Sequence, residues 1–156
     1  MKINRILIGI DDSKFSDNAA EYGFDIARLT GAEVGLVNIV EPIIFPASNN
    51  DTITGTTFES AGLPDPELIH AQTESSENIM ERTAKKFAGE LKVTQFTDYG
   101  STADGILKCS AEFGADLVII GTHSRTGLDR LLMGSVAEHV VRHSEVPVLV
   151  VPLKEE

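Results

Sequence analysis

The sequence has a single cysteine and no long apolar run. Because Cys109 has no second cysteine to pair with, a scaffold held by internal disulfides is excluded. The N-terminal apolar run ILIGI, residues 6–10, ends at Asp11 and Asp12, and it is too short for a secretory signal or a membrane-spanning helix. We therefore expect a cytoplasmic protein that has no membrane contact.

Positive charge is also scarce. The chain has 13 lysines and arginines against 24 aspartates and glutamates, which gives a formal net charge of −11. Its basic clusters are no longer than the pair Lys85 and Lys86. A surface of this charge repels a polynucleotide backbone, so we expect no nucleic-acid partner. A small phosphate ligand would have to be held locally by backbone groups.

Short apolar runs rich in valine and isoleucine recur along the chain and predict five strands. Near-continuous apolar strands are typical of a parallel sheet that is covered on both faces. The runs occupy residues 5–10, 32–40, 91–96, 116–121 and 146–152. With 42% hydrophobic and 24% charged residues, the 156-residue chain fits one compact domain.

Helical patterns separate these runs. We predict helices over residues 16–29, 66–91 and 101–113, and a fourth that starts at Ser135. The fourth has capping-box spacing between Ser135 and Glu138, and it carries Val136, Val140 and His143 before it stops ahead of Pro147. Alternating strands and helices indicate an α/β fold built on a parallel sheet with right-handed crossovers.

Residues 41–64 interrupt this alternation. The segment contains three prolines, two glycines and several Ser, Thr and Asn residues, without sustained periodicity. A loop this long in a compact domain is either a functional lid or a mobile insertion. We favour the mobile insertion.

The loop GTHSRTGLDRLLMGS, residues 121–135, follows the fourth strand and has glycines near both ends. In open parallel sheets, ligands bind beyond the carboxyl ends of the strands. Gly134 and Ser135 begin a predicted helix, whose free amides and dipole favour an anion. These two residues therefore predict a phosphate seat. The alternative is that Ser135 only caps the helix and that Gly121 and Gly127 only supply unusual backbone angles.

Three segments resemble the universal stress protein family: ILIGIDDS near the start, and DLVIIGTHSRTG and LLMGSVAEHVVRHSEVPVLVV near the end. The resemblance in order and spacing extends over nearly the whole chain. Members of the ATP-binding branch carry GxxG, nine residues, and then GS or GT. Gly121, Ser124, Gly134 and Ser135 occupy these positions, with serine in place of the second glycine.

The resemblance implies a Rossmann-like fold, an open five-stranded sheet of order 3-2-1-4-5 with helices on both faces. It also implies ATP as the ligand, with or without magnesium, and a homodimer that pairs through the last strand. Asp11 matches the aspartate near adenine, and its carboxylate suits a base amino group or a ribose hydroxyl rather than phosphate. The implied binding residues are Asp11, Ile39, Ile120, Gly121, Ser124, Gly134, Ser135 and Val136, with Ile39 packed on the adenine ring.

Three functions compete at this point. The favoured one is an ATP-binding stress-response regulator that acts through its dimer or an unidentified protein partner. It would be a binding protein rather than an enzyme, because no general base is identifiable beside the phosphate seat. The second is a nucleotide-free dimeric interaction module of the same family. The third is a phosphoacceptor receiver domain, suggested by the acidic pair with Asp98, Thr122 and Lys154, although Asp98 lies too far along the chain for an acceptor.

Other reactive side chains have simpler interpretations. His139 and His143 have i,i+4 spacing but no evident third metal ligand, so we expect surface or half-buried residues. Cys109 has no charged partner that would lower its pKa, which favours a packing role. We expect His123 and Arg125 to be exposed loop residues.

Overall fold

The computed structural model describes residues 2–43, 65–122 and 133–153. The predicted insertion at residues 41–64 therefore lies outside the described residues, apart from 41–43. The described elements follow in the order β1 (Arg5–Gly9), α1 (Lys14–Thr30), β2 (Glu33–Val40), α2 (Pro66–Phe87), β3 (Val93–Tyr99), α3 (Thr102–Phe113), β4 (Leu117–Gly121), α4 (Ser135–His143) and β5 (Val148–Val151).

The strands form one sheet in the order β3-β2-β1-β4-β5, and every neighbouring pair is parallel. This order and the helices on both faces confirm the predicted fold. Ile8 of β1 pairs with Leu36 on one side and with Ile119 on the other. Strand order reverses at β1, because the chain first continues towards β2 and later returns beside β1 as β4. The carboxyl ends of β1 and β4 meet at this switch point.

Apolar side chains alternate between the two faces of the sheet. On β1, Ile6 and Ile8 pack with Phe24 of α1 and Met80 of α2, and all four side chains are buried. Leu7 points to the opposite face, where α3 and α4 cover the sheet. Because both faces are covered, the central strands have almost no polar positions, as their sequences predicted.

Strand β3 differs from its prediction. It was expected over residues 91–96, whereas it runs from Val93 to Tyr99. The predicted strand ended before the polar residues Thr97 and Asp98, yet their backbone pairs with Asn38 and Ile39 of β2. An edge strand exposes much of its surface and therefore tolerates polar side chains that a central strand would exclude.

The bounds of two helices also differ from their prediction. Helix α1 begins at Lys14 rather than residue 16, because the Ser13 side chain caps it by accepting from the Ser16 N–H. Helix α2 ends at Phe87 rather than residue 91, and Gly89 follows with a φ of 56°.

The predicted cap of α4 was wrong. Gly134 occupies the N-cap, Ser135 is the first helical residue, and no side chain caps this helix. Glu138 instead pairs with Arg142, with Oε1 and Nη2 2.8 Å apart. His143 is exposed, as expected for a surface histidine, while Ala137 and Val140 are buried.

Within the described ranges, no helix combines the length and the apolar character that crossing a bilayer requires.

Candidate functional site

A cleft of about 550 Å³ lies at the carboxyl edge of the sheet. The ends of β1, β2 and β4 form its floor, and residues from α2, α3 and the start of α4 form its walls. Ser124 lies outside the described residues. The other seven predicted binding residues all line this cleft: Asp11, Ile39, Ile120, Gly121, Gly134, Ser135 and Val136.

One end of the cleft carries a carboxylate. Asp11 lies just beyond β1 and is half-buried. Its backbone N–H donates to the Ser16 hydroxyl over 2.8 Å, and the Ser13 hydroxyl donates to its carboxylate. Asn38 of β2, which is buried, donates through Nδ2 to the Ile10 carbonyl over 2.8 Å. We call Asp11, Ser13, Ser16, Asn38 and Ile39 the carboxylate end.

Apolar contacts complete the floor of the cleft. Ile39 is half-buried and packs against helix α3 at Gly105, where an added Cβ would lie 2.5 Å from Ile39 Cδ1. Ile120 is buried beside Gly9, where an added Cβ would lie 2.9 Å from Ile120 Cγ2. Small residues on neighbouring elements therefore make room for both isoleucines at the cleft.

The other end of the cleft presents backbone groups. The Gly134 N–H donates to the Thr122 carbonyl over 2.8 Å, which brings the start of α4 next to the end of β4. The Gly134 carbonyl accepts from the Glu138 N–H, the first bond of the helix. The N–H groups of residues 135–137 therefore have no intrahelical acceptor. We call Gly121, Gly134, Ser135 and Val136 the amide end.

The two glycines of the amide end differ in what explains the absence of a side chain. A Cβ on Gly121 would lie 2.8 Å from the carbonyl oxygen of Phe15, so the close approach of α1 excludes a side chain there. This contact accounts for the glycine at 121 without any ligand. Gly134 has φ −55° and ψ 154°, angles that any residue adopts. Backbone conformation therefore does not explain the glycine at 134.

The outer rim of the cleft is polar. Thr102 donates to the Glu41 carboxylate over 2.6 Å, and Gln72 donates to the Glu41 carbonyl over 3.3 Å. Among the described lining residues, Asp11 and Glu41 carry negative charge and none is a lysine or an arginine. A phosphate in this part of the cleft would rely on backbone amides and hydroxyl groups.

The geometry does not fit a receiver domain. In a receiver-like sheet of order 2-1-3-4-5, the third strand lies beside the first. Here β2 separates β1 from β3, so Asp98 is remote from Asp11. The Asp98 carboxylate bonds to Lys108 over 2.8 Å, and this bond lowers the pKa of Asp98. Lys154 lies outside the described residues.

The remaining reactive residues have structural contacts. His139 is half-buried, and its Nε2 lies 3.0 Å from an oxygen of Asp104. No cluster of three metal-ligating side chains occurs in residues 2–43, 65–122 or 133–153. Cys109 is buried, and its burial raises the thiol pKa to about 11, which fits the expected packing role. His123 and Arg125 lie outside the described residues.

Sequence reasoning missed Ser16 and Asn38. Both line the cleft and both are buried. The available signal for Asn38 was a polar residue inside the apolar run EVGLVNIV, where a buried amide costs free energy unless it is hydrogen-bonded. The signal for Ser16 was weaker, because a serine near a helix start usually serves only as a cap.

Comparison with protein families gives one match that covers nearly the whole chain. The model described as "Universal stress protein family" matches residues 2–152. Universal stress protein MJ0531 of Methanocaldococcus jannaschii is 34% identical over 155 residues, which cover 97% of this chain and 84% of that protein.

Solved structures agree with this match. The hypothetical protein MJ0577 of Methanocaldococcus jannaschii is 25% identical, with a TM-score of 0.78 over the full length of both chains. A universal stress protein of Archaeoglobus fulgidus, solved in complex with dAMP, is 18% identical and has a TM-score of 0.61. That match covers 96% of this chain and 98% of the other.

Proposed function

This chain belongs to the universal stress protein family, and from that premise we propose that its cleft binds an adenine nucleotide, with ATP as the expected ligand. The observation that carries the proposal is the arrangement of one carboxylate end and one amide end along a single cleft. The two ends suit the two chemically different parts of a nucleotide.

The strand order gives the ligand a direction. β1 lies between β2 and β4, so the ends of β2 and β4 are roughly 10 Å apart. A phosphate favours the start of α4, because unbonded amides and the helix dipole are positive there. The Asp11 carboxylate repels phosphate and accepts from hydroxyl or amino groups. We therefore place the phosphates at Gly134, the sugar near Asp11 and the base on Ile39.

The Archaeoglobus fulgidus relative supports the class of ligand, because its dAMP is an adenine nucleotide. Ser124 belongs to this proposal as the residue at the second glycine position of the family pattern. Its hydroxyl adds a side-chain donor for a phosphate oxygen, which a glycine lacks.

Magnesium would enter with the phosphates rather than through a protein metal site. Asp11 and Glu41 are the carboxylates of the described cleft, and Glu41 is bonded to Thr102. Since the described residues contain no cluster of three metal ligands, a bound Mg²⁺ would take most of its oxygen ligands from phosphates and water.

We infer that the protein binds its nucleotide in the cytoplasm as a regulator and does not turn it over rapidly. A second copy would pair along β5, which is a sheet edge with the sequence VLVV. Val148, Leu149 and Val150 are only half-buried. A partly exposed apolar edge strand favours pairing with another chain. Light scattering should find a dimer, and a monomer at high micromolar concentration would reject this pairing.

The direct test of the ligand is to denature the purified protein and identify any released small molecule by mass spectrometry. We expect ATP or another adenine nucleotide, and calorimetry with added ATP should give saturable binding to the emptied protein. Absence of both results would favour the second function, a dimeric interaction module without nucleotide.

A further inference from the structure

The peptide group between Ile10 and Asp11 is held at both ends by side chains. Its carbonyl accepts from Asn38 Nδ2 and its N–H donates to Ser16 Oγ, each over 2.8 Å. Both side chains are buried, with Asn38 9% and Ser16 5% exposed. We name these two residues the peptide clamp.

The clamp bonds the first peptide group beyond the backbone hydrogen bonds that join β1 to β2. The Ile10 N–H still bonds to the Val37 carbonyl of β2 over 2.9 Å, as in a regular parallel pair. The next peptide group is bonded to side chains instead. A peptide group that is fixed at its carbonyl and at its N–H cannot rotate about the chain axis without losing a buried hydrogen bond. Its orientation sets the direction in which the Asp11 side chain leaves the backbone.

A second set of bonds fixes the carboxylate itself. The Ser13 hydroxyl donates to the Asp11 carboxylate and accepts from the Ser16 N–H over 3.2 Å. Asp11, Ser13 and Ser16 therefore form a closed ring of hydrogen bonds at the start of α1. Asn38 attaches this ring to β2, the strand that also carries Ile39.

We propose that Ser16 and Asn38 are positioning residues, which hold the Asp11 carboxylate in the direction that the nucleotide needs. This inference rests on the proposed function. Its physical reason is preorganisation, because a carboxylate that is already oriented loses less conformational freedom when a ligand binds. The burial of an amide in an otherwise apolar strand fits this role, since an aliphatic residue would pack there without a desolvation cost.

The test is a double-mutant cycle measured by calorimetry with ATP. Ser16→Ala should weaken ATP binding about five- to tenfold, as expected for one lost hydrogen bond. Ser16→Thr keeps the hydroxyl and should restore most of the affinity. In a chain that already carries Asp11→Ala, Ser16→Ala should have almost no further effect, because there is no carboxylate left to position.

Thr83→Ala is the matched control. Thr83 is buried in α2 and its hydroxyl donates to the Ile79 carbonyl over 2.9 Å, but it does not line the cleft. This variant should lose stability without losing ATP affinity. Asn38→Leu, which removes the donor at similar size without adding a charge, should weaken binding as Ser16→Ala does.

The possible failures are distinguishable. A parent protein that binds no adenine nucleotide overturns the proposed function, and the positioning role falls with it. A parent that binds ATP while Ser16→Ala and Asn38→Leu bind equally well overturns the positioning role alone. An equal loss from Ser16→Ala with and without the Asp11 carboxylate also overturns it, because the effect would then be structural.

Discussion

The carboxylate end and the amide end of the cleft are built in opposite ways. At the carboxylate end, side chains from β2 and α1 make three hydrogen bonds to Asp11 and the peptide before it. At the amide end, the polar groups belong to the backbone at the start of α4, and no side chain caps them. Selectivity at the first end therefore depends on residue identity, whereas binding at the second depends on backbone access.

This difference predicts which kind of substitution should weaken nucleotide binding at each end. Removing a side chain should weaken recognition at the carboxylate end, because the recognising group is lost. Adding a side chain should weaken it at the amide end, because the group that binds becomes blocked.

The largest expected effect is at the amide end. Gly134→Val should reduce ATP affinity at least about a hundredfold, or roughly 3 kcal/mol, because the branched side chain would occupy the place of the phosphate. The fold should survive, since φ −55° and ψ 154° suit valine. Calorimetric titration with ATP and a melting curve of the free protein measure the two effects.

Ser101→Val is the control for this change. It places the same residue at the N-cap of α3, whose first residue is Thr102. It should cost more stability than Gly134→Val, because the Ser101 hydroxyl accepts from the Asp104 N–H, but it should leave ATP affinity intact. Equal loss of ATP binding in both variants would mean that a general disturbance of helix starts is responsible.

Gly121→Ala should behave differently, although it lies at the same end. Its Cβ would lie 2.8 Å from the Phe15 carbonyl oxygen, so we expect a loss of about 1–3 kcal/mol in the free energy of unfolding without any ligand. Urea denaturation of the free protein measures this loss. A variant as stable as the parent would show that the contact with α1 is not the reason for the glycine.

At the carboxylate end, Asp11→Ala should weaken ATP binding by about 1–3 kcal/mol, the range for hydrogen bonds to a charged group. The melting temperature of the free protein should change little, because Asp11 is only half-buried. An unchanged dissociation constant by calorimetry would remove Asp11 from the site.

The fold was largely predictable from the sequence, whereas parts of the site were not. Apolar runs with regular spacing indicated the parallel sheet, and the family resemblance added its strand order. The C-terminal half of β3 was not predicted, because polar residues such as Thr97 are typical of loops as well as of edge strands. Local capping rules also favoured Ser135 as the N-cap of α4, whereas Gly134 occupies that position and the helix starts at Ser135 as predicted.

The residues that position Asp11 were not predicted from the sequence, for a different reason. Asn38 lies 28 positions from its partner Ile10, so the hydrogen bond exists only because β1 and β2 are adjacent. The contact that explains Gly121 likewise joins β4 to the start of α1, two elements that are far apart in the sequence. Sequence patterns report local spacing and do not report such contacts.

The smallest effect is expected from a carboxylate at the opposite edge of the sheet. Asp116 accepts from the backbone N–H groups of Asn4 and Arg5, and these bonds lower its pKa. A lowered pKa means that Asp116 contributes stability above the pKa of the unfolded chain, which is about 4, and that this contribution is lost as the pH falls further. Asp116→Asn should therefore reduce stability slightly at neutral pH and make it less dependent on pH in acid.

Urea denaturation at neutral and acidic pH checks this prediction. ATP affinity should be unchanged, because Asp116 does not line the cleft. A large loss of affinity would show that nucleotide recognition is not confined to the cleft.

The most direct test of the account is an NMR titration of the ¹⁵N-labelled protein with ATP. We predict saturable shifts of the backbone amides at both ends, at Asp11 and Ile39 and at Gly134, Ser135 and Val136, while the Asp116 amide stays unchanged. Adenosine without phosphate should shift the carboxylate end more than the amide end. Unchanged spectra at millimolar ATP, or shifts confined to residues outside the cleft, would contradict the proposal that one nucleotide bridges the two ends.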